Sequence, residues 1–340
     1  MGGTSSERDV SLASGLRIAE ALRSRGHAVR AIDTAKGELS IADERRLLSE
    51  GVVKQLPPSP SELARMNAES VADTAARLPK RGECDVAFLA LHGGRGEDGT
   101  VQALLDLAGV PYTGSGHLAS ALAMDKDLSK HLFRAHDVGT ANWLMATDPS
   151  APPGTAAVAR ALGWPVIVKP SKQGSTVGLS IVKDPSELGA AITDAFQHDD
   201  EVMIEQFIAG RELTVGILGG DALPVGEIIP KHEIYDYECK YTAGMAEEIF
   251  PAPLSPEQTA AVQAQARRAF AALKLGGCAR IDFRMSSAGE FYCLEANTLP
   301  GMTATSLIPQ AAAAAGIAFP ELCERIAQLA TDAVTTGAAP

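Results

Sequence analysis

The sequence predicts an α/β protein with α+β character, divided into two or three domains, on three observations. Helical and strand-like apolar spacings alternate from residue 11 onward. An apolar run over residues 84–91 passes directly into a glycine-rich loop and then a helical stretch. Finally, 340 residues of which 46% are hydrophobic suffice to bury more than one core.

The elements follow in order. Leu12, Leu16, Ala19 and Leu22 recur on one helix face over residues 11–25, Gly26 ends that helix, and residues 27–33 alternate like a strand. Residues 36–81 are polar, carry Pro57-Pro58-Ser59-Pro60 and have a helical pattern on either side, so they read as a surface excursion without chemistry. A strand over 84–91, the loop His92-Gly93-Gly94-Arg95-Gly96-Glu97-Asp98-Gly99 and a helix over 100–108 come next. Residues 120–136 are helical, residues 164–169 and 178–182 are strands flanking a second glycine loop, and 202–207 is another strand. Proline and alanine between residues 147 and 157 mark a surface connection. Ser255-Pro256-Glu257-Gln258 is a capping box with proline at the first helical position, starting a helix that runs to about residue 275 and stops at Gly276-Gly277. The alanine run 311–315 is helical.

Composition narrows the function. A formal net charge of -12 offers no basic stripe for nucleic acid or an anionic membrane surface, so any nucleotide must be held by a local cluster of cations and backbone N–H groups. The five cysteines are odd in number, scattered and without a C-x-x-C pair, which reads as reduced thiols rather than zinc ligands or disulfides. No apolar run reaches the roughly 18 to 20 residues of a membrane span, and the start lacks the basic-then-apolar pattern of a signal peptide. A cytoplasmic protein acting on small molecules is expected.

The strongest chemical signal is the hairpin Arg280-Ile-Asp282-Phe-Arg-Met, turn 286–289, Glu290-Phe-Tyr-Cys-Leu-Glu295-Ala-Asn297. With the turn centred between Ser287 and Ala288, Arg280 lies opposite Glu295 and Asp282 opposite Cys293, and all of Arg280, Asp282, Cys293, Glu295 and Asn297 share one face. Two carboxylates and an amide oxygen beside an arginine make a hard-cation site of the kind magnesium takes while holding phosphate oxygens. A surface hairpin with one cross-strand ion pair is the bland alternative, and the flanking Asn297-Thr-Leu-Pro-Gly301-Met weighs against it. The second signal is Lys169-Pro-Ser-Lys-Gln-Gly174-Ser175-Thr176-Val-Gly178, a strand-ending lysine followed by a glycine and hydroxyl turn that can serve a phosphate tail and close as a lid. It leads to a strand, and G-x-x-x-x-G-K-[ST] occurs nowhere, which disfavours a P-loop NTPase. Gly94-Arg-Gly96-Glu-Asp-Gly99 matches the dinucleotide pattern, but Glu97 and Asp98 would stand where a pyrophosphate is cradled, so that match is rejected. His92 is either a satisfied core histidine, which spacing favours, or a contact to a substrate carboxylate.

Six motifs then occur in a fixed order: Glu7-Arg-Asp-Val-Ser11; His92-Gly93 with Gly96-Glu-Asp-Gly99; Met124-Asp-Lys126; the 169–178 loop; Tyr235-Asp-Tyr-Glu-Cys-Lys240-Tyr241; and Glu295-Ala-Asn297 through Ser306-Leu307. In these the sequence resembles the D-alanine–D-alanine ligases, of the ATP-grasp superfold, over nearly its whole length. The resemblance implies three domains, residues 1–112, 113–205 and 206–335, with ATP between the last two. It implies that Lys126 and Lys169 contact phosphates and that Glu205, Phe207, Ile208 and Glu212 hold adenine and ribose. Asp282, Glu295 and Asn297 would bind magnesium or manganese, two ions in all. Glu7 and Ser175 would orient the first D-alanine with His92 on its carboxylate side, Arg280 would hold the acyl-phosphate oxygens, and Gly301, Ser306 and Leu307 would receive the second D-alanine. Lys240 and Tyr241 would lie in a closing loop, tyrosine there accompanying D-alanine rather than D-lactate as second substrate. A homodimer and a role in peptidoglycan precursor synthesis are also implied. Gln206 departs from the lysine many relatives carry. The family's first apolar strand would precede Gly2-Gly3-Thr4, and here Met1 stands in its place, so the expectation is either a start called too late or an amino-terminal doubly wound parallel sheet that lacks that strand. The competing readings are an ATP-grasp ligase for another amino or hydroxy acid pair, a nucleotide-binding protein without activity and, more distantly, an NAD-linked oxidoreductase.

Overall fold

The computed structural model describes residues 1–50, 71–235, 239–240 and 244–336. Pro57-Pro58-Ser59-Pro60 and Tyr241 lie outside them. The chain opens with α1 (Arg8–Ser24), which buries Val10, Leu12, Leu16, Ile18, Ala19 and Leu22 as the spacing predicts. Strands β1 (Ile32–Asp33) and β2 (Gly37–Glu38) form a short antiparallel hairpin, and helices α2 (Ile41–Glu50) and α3 (Val71–Arg77) follow.

The strand expected over 27–33 thus keeps only its last two residues in a ladder. The segment expected as a strand over 84–91 is extended but pairs only through a parallel bridge between Ala87 and Tyr112. Side chains serve the backbone groups that a ladder would have used: Ser11 Oγ donates to Ala90 O, and Leu89 N donates to Thr113 Oγ1 at 3.0 Å. A tight turn at Gly94–Gly96 then enters α4 (Thr100–Ala108).

One continuous helix over 120–136 is not what forms. The chain breaks between α5 (His117–Met124) and α6 (Lys126–Ala135) at Asp125, whose extended backbone and side-chain bond to Leu128 N make it the N-cap of α6. Next come β3 (Trp143–Ala146), α7 (Thr155–Ala161), β4 (Val166–Pro170), β5 (Ser180–Val182), α8 (Leu188–Ala195) and β6 (Val202–Gln206). These strands make an antiparallel sheet in the order β3-β6-β4-β5, and Val158, Val166, Val168, Ile192, Val202 and Ile204 pack beneath it.

The last part is built on β7 (Gly210–Leu218), β8 (Asp221–Ala222), β9 (Gly226–Pro230), β10 (Ala246–Ile249), α9 (Pro256–Ala272), β11 (Cys278–Ser286) and β12 (Phe291–Asn297). The sheet order is β10-β9-β7-β11-β12, with β8 pairing β7. The capping box is formed on both sides: Gln258 N donates to Ser255 Oγ and Ser255 N to Gln258 Oε1. Val262, Ala266, Ala269 and Leu273 of α9 and its C-cap close over Leu213, Val215, Ile281 and Phe283. Helices α10 (Leu307–Ala314) and α11 (Phe319–Thr336) complete the chain, α11 packing back on α1 through Leu322, Ile326, Ile18 and Leu22. No helix among the described residues is long and apolar enough to cross a membrane.

Candidate active site

The hairpin of β11 and β12 forms the floor of a cleft between the two sheets. Strand alternation sends Ile281, Phe283 and Met285 into the core and leaves Arg280, Asp282 and Arg284 on the other face. Its register differs from the expected one. Arg280 pairs with Asn297 and Asp282 with Glu295, then a bulge at Leu294 shifts the ladder so that Phe283 pairs with Cys293. Cys293 therefore faces the core, fully buried beside Phe283, and not the site. Leu294 and Glu295, consecutive in sequence, both line the cleft because the bulge interrupts alternation between them.

Asp282 is the centre of this floor. Arg280 Nε donates to Oδ1 and Nη2 to Oδ2, both at 2.9 Å; Thr214 Oγ1 donates to Oδ1 at 2.7 Å and Asn297 Nδ2 to Oδ2 at 3.0 Å. Burial pushes the Glu295 carboxyl up, but Lys126, Lys240, Lys169 and Arg280 outweigh it and hold the group down at about 2. The Lys126 ammonium stands 3.4 Å from it. Among the described residues no three of His, Cys, Asp and Glu gather as a metal cluster. The donor set is two directly paired carboxylates plus an amide, a small all-oxygen set that suits magnesium sharing its shell with phosphate oxygens and would not suit zinc.

One cavity, ≈ 130 Å³, lies between the sheets and is lined by Lys126, Lys169, Glu205, Gln206, Phe207 and Ile208 with Glu212, Lys240, Asp282 and Glu295. Lys169 Nζ donates to Glu205 Oε2 at 2.6 Å, and Lys126 Nζ to Gln173 O at 2.7 Å. Arg284 donates to Ile208 O and to Glu212, both at 3.1 Å, and its guanidinium lies 5.7 Å from the Phe207 ring centroid. Burial raises the Glu212 carboxyl against the pull of Arg284.

A second cavity, ≈ 80 Å³, adjoins the first; Ser175, Tyr235, Lys240 and Glu295 line both. Its walls are Glu7, His92, Glu97, Arg280, Asn297, Gly301, Ser306 and Leu307. Ser175 Oγ donates to Glu7 Oε1 at 2.5 Å, joining the 169–178 loop to the start of the chain. Ser175 and Thr176 both have left-handed backbone, φ 52° and 59°, in a region that non-glycine residues seldom enter. Ser306 Oγ accepts Thr303 N at 3.0 Å, and a Cβ on Gly301 would come within 2.7 Å of that oxygen, so a larger residue there would displace the Ser306 hydroxyl.

His92 borders this cavity yet gives both ring nitrogens to the protein. Nδ1 faces Leu299 O at 2.8 Å and must carry the proton; Nε2 then accepts from Ser14 Oγ at 3.1 Å, and Ser14 in turn accepts Met302 N. Burial lowers its pKa, which keeps the ring neutral. Glu97 accepts Gly93 N at 2.6 Å and Leu299 N at 3.4 Å, and burial together with the Glu7 carboxylate pushes it up to about 8. The glycine loop over 93–99 thus closes on its own acidic residue and offers no cradle for a pyrophosphate.

Family models for the D-alanine–D-alanine ligase N-terminus and C-terminus match residues 1–115 and 132–328. The chain belongs to the D-alanine–D-alanine ligase family. It is 44% identical to the D-alanine–D-alanine ligase of Syntrophotalea carbinolica, over 96% of this chain and 93% of that protein. The ligase of Geobacter sulfurreducens is likewise 44% identical, over 96% and 91%. The crystal structure of the Bacillus anthracis ligase complexed with ATP is similar over 99% of this chain and 97% of that one, at a TM-score of 0.76 and 31% identity. The fold is therefore ATP-grasp.

Within this family member, sequence reasoning passed over three residues of the site. Lys130 is fully buried and donates to Glu205 Oε1; the signal was a lysine one turn after Lys126 on the same face as the buried Ser129 and Phe133. Thr214 was hidden inside an apolar strand, and Glu97 was read as an obstacle to dinucleotide binding and as part of a family motif, without a contact of its own.

Proposed function

We propose that this chain joins two D-alanine molecules into a dipeptide with consumption of ATP, through a D-alanyl phosphate, and so supplies a peptidoglycan precursor. The observation that carries this is the continuity of the two cavities: one with a cationic and apolar lining suited to a nucleotide, the other a small polar chamber, sharing Ser175, Tyr235, Lys240 and Glu295. Adenine and ribose would lie along Glu205, Phe207, Ile208 and Glu212, with the phosphates toward Lys126, Lys169 and Lys240. Glu7, tethered by Ser175, would take the ammonium of the first D-alanine, and Arg280 would face its carboxylate. His92 would shape the wall as a neutral ring.

A carboxylate is a poor electrophile, so transfer of the γ-phosphoryl group onto it creates an acyl phosphate and ADP. The deprotonated amine of the second D-alanine, held by Gly301, Ser306 and Leu307, attacks the acyl carbon, and phosphate leaves with the electron pair. Arg280 would stabilise the oxyanion that forms in between. Asp282, Glu295 and Asn297 would hold magnesium or manganese, which when bound supplies positive charge to phosphate oxygens. Water must be kept from the acyl phosphate, which gives the 169–178 loop and the loop carrying Lys240 their function as covers. Tyr241 enters from the sequence alone, as the loop residue that would favour D-alanine over D-lactate. Three domains divided near residues 112 and 205, and a cytoplasmic homodimer, belong to the same reading.

The test is phosphate release from ATP on addition of D-alanine, with product analysis and with L-alanine and D-lactate as controls. Release dependent on D-alanine, with a dipeptide formed, is expected. Release without D-alanine dependence, or an ester product formed preferentially near neutral pH, overturns the assignment.

A further inference from the structure

The cluster that the function above does not yet use is the buried ammonium of Lys130. Glu205 sits between two lysines: Lys130 binds its Oε1 and Lys169 binds its Oε2, and the three are 0%, 3% and 8% exposed in the order Lys130, Glu205, Lys169. Their positions differ. Glu205 and Lys169 line the larger cavity, whereas Lys130, on α6, stands behind Glu205 and does not reach it. The rest of Lys130 is committed to protein: its Nζ also donates to Thr140 Oγ1 at 2.7 Å and lies 5.0 Å from the Trp143 ring centroid. Thr140 Oγ1 passes its own proton to Cys293 O at 2.9 Å, so it is fixed as an acceptor for Lys130.

Two cations on one carboxylate is an unbalanced arrangement. A buried charge is retained when it is paired, and a Glu205–Lys169 pair alone would already be balanced. The second lysine leaves the trio with one net positive charge, and Lys169 is the member that faces the cavity. Without Lys130, Glu205 would cancel the field of Lys169 where a phosphate tail would lie; with it, Glu205 serves as a strut that aims Lys169 while its charge is taken up from behind.

We propose that Lys130 is a positioning residue for phosphate binding: by neutralising Glu205 from the protein side, it leaves the Lys169 ammonium charged toward the phosphates of the nucleotide. This rests on the nucleotide reading of the larger cavity given above. It implies that loss of Lys130 weakens ligands in proportion to the phosphate charge they carry, whereas damage to the pocket's shape weakens all of them alike.

The experiment is calorimetric titration of the full chain with adenosine, ADP and ATP in magnesium-containing buffer, for wild type, Lys130→Met, Glu205→Gln and the double variant. In Lys130→Met the affinity for adenosine should change by less than about threefold while that for ADP falls about tenfold and ATP falls further, the size expected for one uncompensated charge in a partly screened site. Glu205→Gln leaves two cations without a counter-charge, so the ADP-to-adenosine affinity ratio should rise above wild type even though adenine contacts are lost. In the double variant that ratio should return to within about threefold of wild type, because one net positive charge is restored. Equal loss for all three ligands in Lys130→Met, or a ratio still depressed in the double variant, overturns the proposal. The ratios in Glu205→Gln and the double variant decide the matter if Lys130→Met does not fold. Wild type that binds adenosine but gains nothing from phosphates would instead defeat the nucleotide reading itself.

Discussion

Replacing Ser175 separates two effects that the structure places on one residue. Its hydroxyl donates to the Glu7 carboxylate at 2.5 Å, and its backbone sits at φ 52°. A hydrogen bond to a charged partner contributes roughly 1.5 to 3 kcal/mol, and a left-handed backbone costs a non-glycine residue roughly 1 to 2 kcal/mol. Ser175→Ala loses the bond and keeps the strain; Ser175→Gly loses both. If the bond holds the loop over the small cavity, both variants should fall in kcat/KM for D-alanine by between about tenfold and a hundredfold, measured by phosphate release. The glycine variant should nevertheless melt higher than the alanine variant, by about one to two degrees per kcal/mol relieved. Ser175→Ala with kcat/KM within twofold of wild type would refute the tether, and coincident melting of the two variants would refute the strain.

Glu295→Gln removes one charge from the paired carboxylates at constant shape, and turnover at saturating magnesium should drop by two or more orders of magnitude; unchanged turnover rules out the metal reading. Gly301→Ala sets a Cβ 2.7 Å from Ser306 Oγ, so kcat/KM for the second D-alanine should fall about tenfold while the melting temperature moves little. A melting loss as large as that of a core truncation would instead make Gly301 structural. Burial raises Glu205, but Lys130 and Lys169 outweigh it and hold it at about 2, a group lowered on folding. Its contribution is therefore present above the ordinary glutamate value of about 4.5 and is lost as pH falls through about 2. Wild type should exceed Glu205→Gln in stability by on the order of 3 kcal/mol at pH 7, in denaturant titrations, with the gap closing toward pH 2. A gap independent of pH would show that the carboxylate's charge is not what stabilises the fold.

What the sequence disclosed and what it withheld divide along physical lines. Local rules were legible: the capping box at Ser255 and Gln258, the helix face of Leu12, Leu16 and Leu22, and the strands around Lys169 depend on neighbours a few residues away. The break at Asp125 was missed because residues on both sides keep helical spacing, and only the cap geometry of Asp125 with Leu128 separates them. The strands expected at 27–33 and 84–91 have the right apolar pattern, but a ladder needs a partner at hydrogen-bonding distance, which no pattern supplies. In the β11/β12 hairpin two offsets of one residue, in the turn centre and at the bulge, cancelled in parity. The four polar residues therefore shared a face as expected, and Cys293 alone did not. Lys130 escaped because burial of a lysine is decided by a carboxylate 75 positions away in sequence.

The bulge at Leu294 also separates the turn end of the hairpin from the end that bears the carboxylates. On the turn side the ladder keeps one phase, Phe283 with Cys293 and Met285 with Phe291; on the far side it keeps another, Asp282 with Glu295 and Arg280 with Asn297. A slip arising at residues 287–289 can be absorbed at the junction without rotating Glu295 away from Asp282. Leu294 is then the spacer of the hairpin, the residue whose deletion leaves Glu295 following Cys293 directly and still opposite Asp282. Deleting Ala296 would instead turn Asn297 toward the apolar core. The tolerance of this strand to length changes should accordingly be asymmetric about a single position.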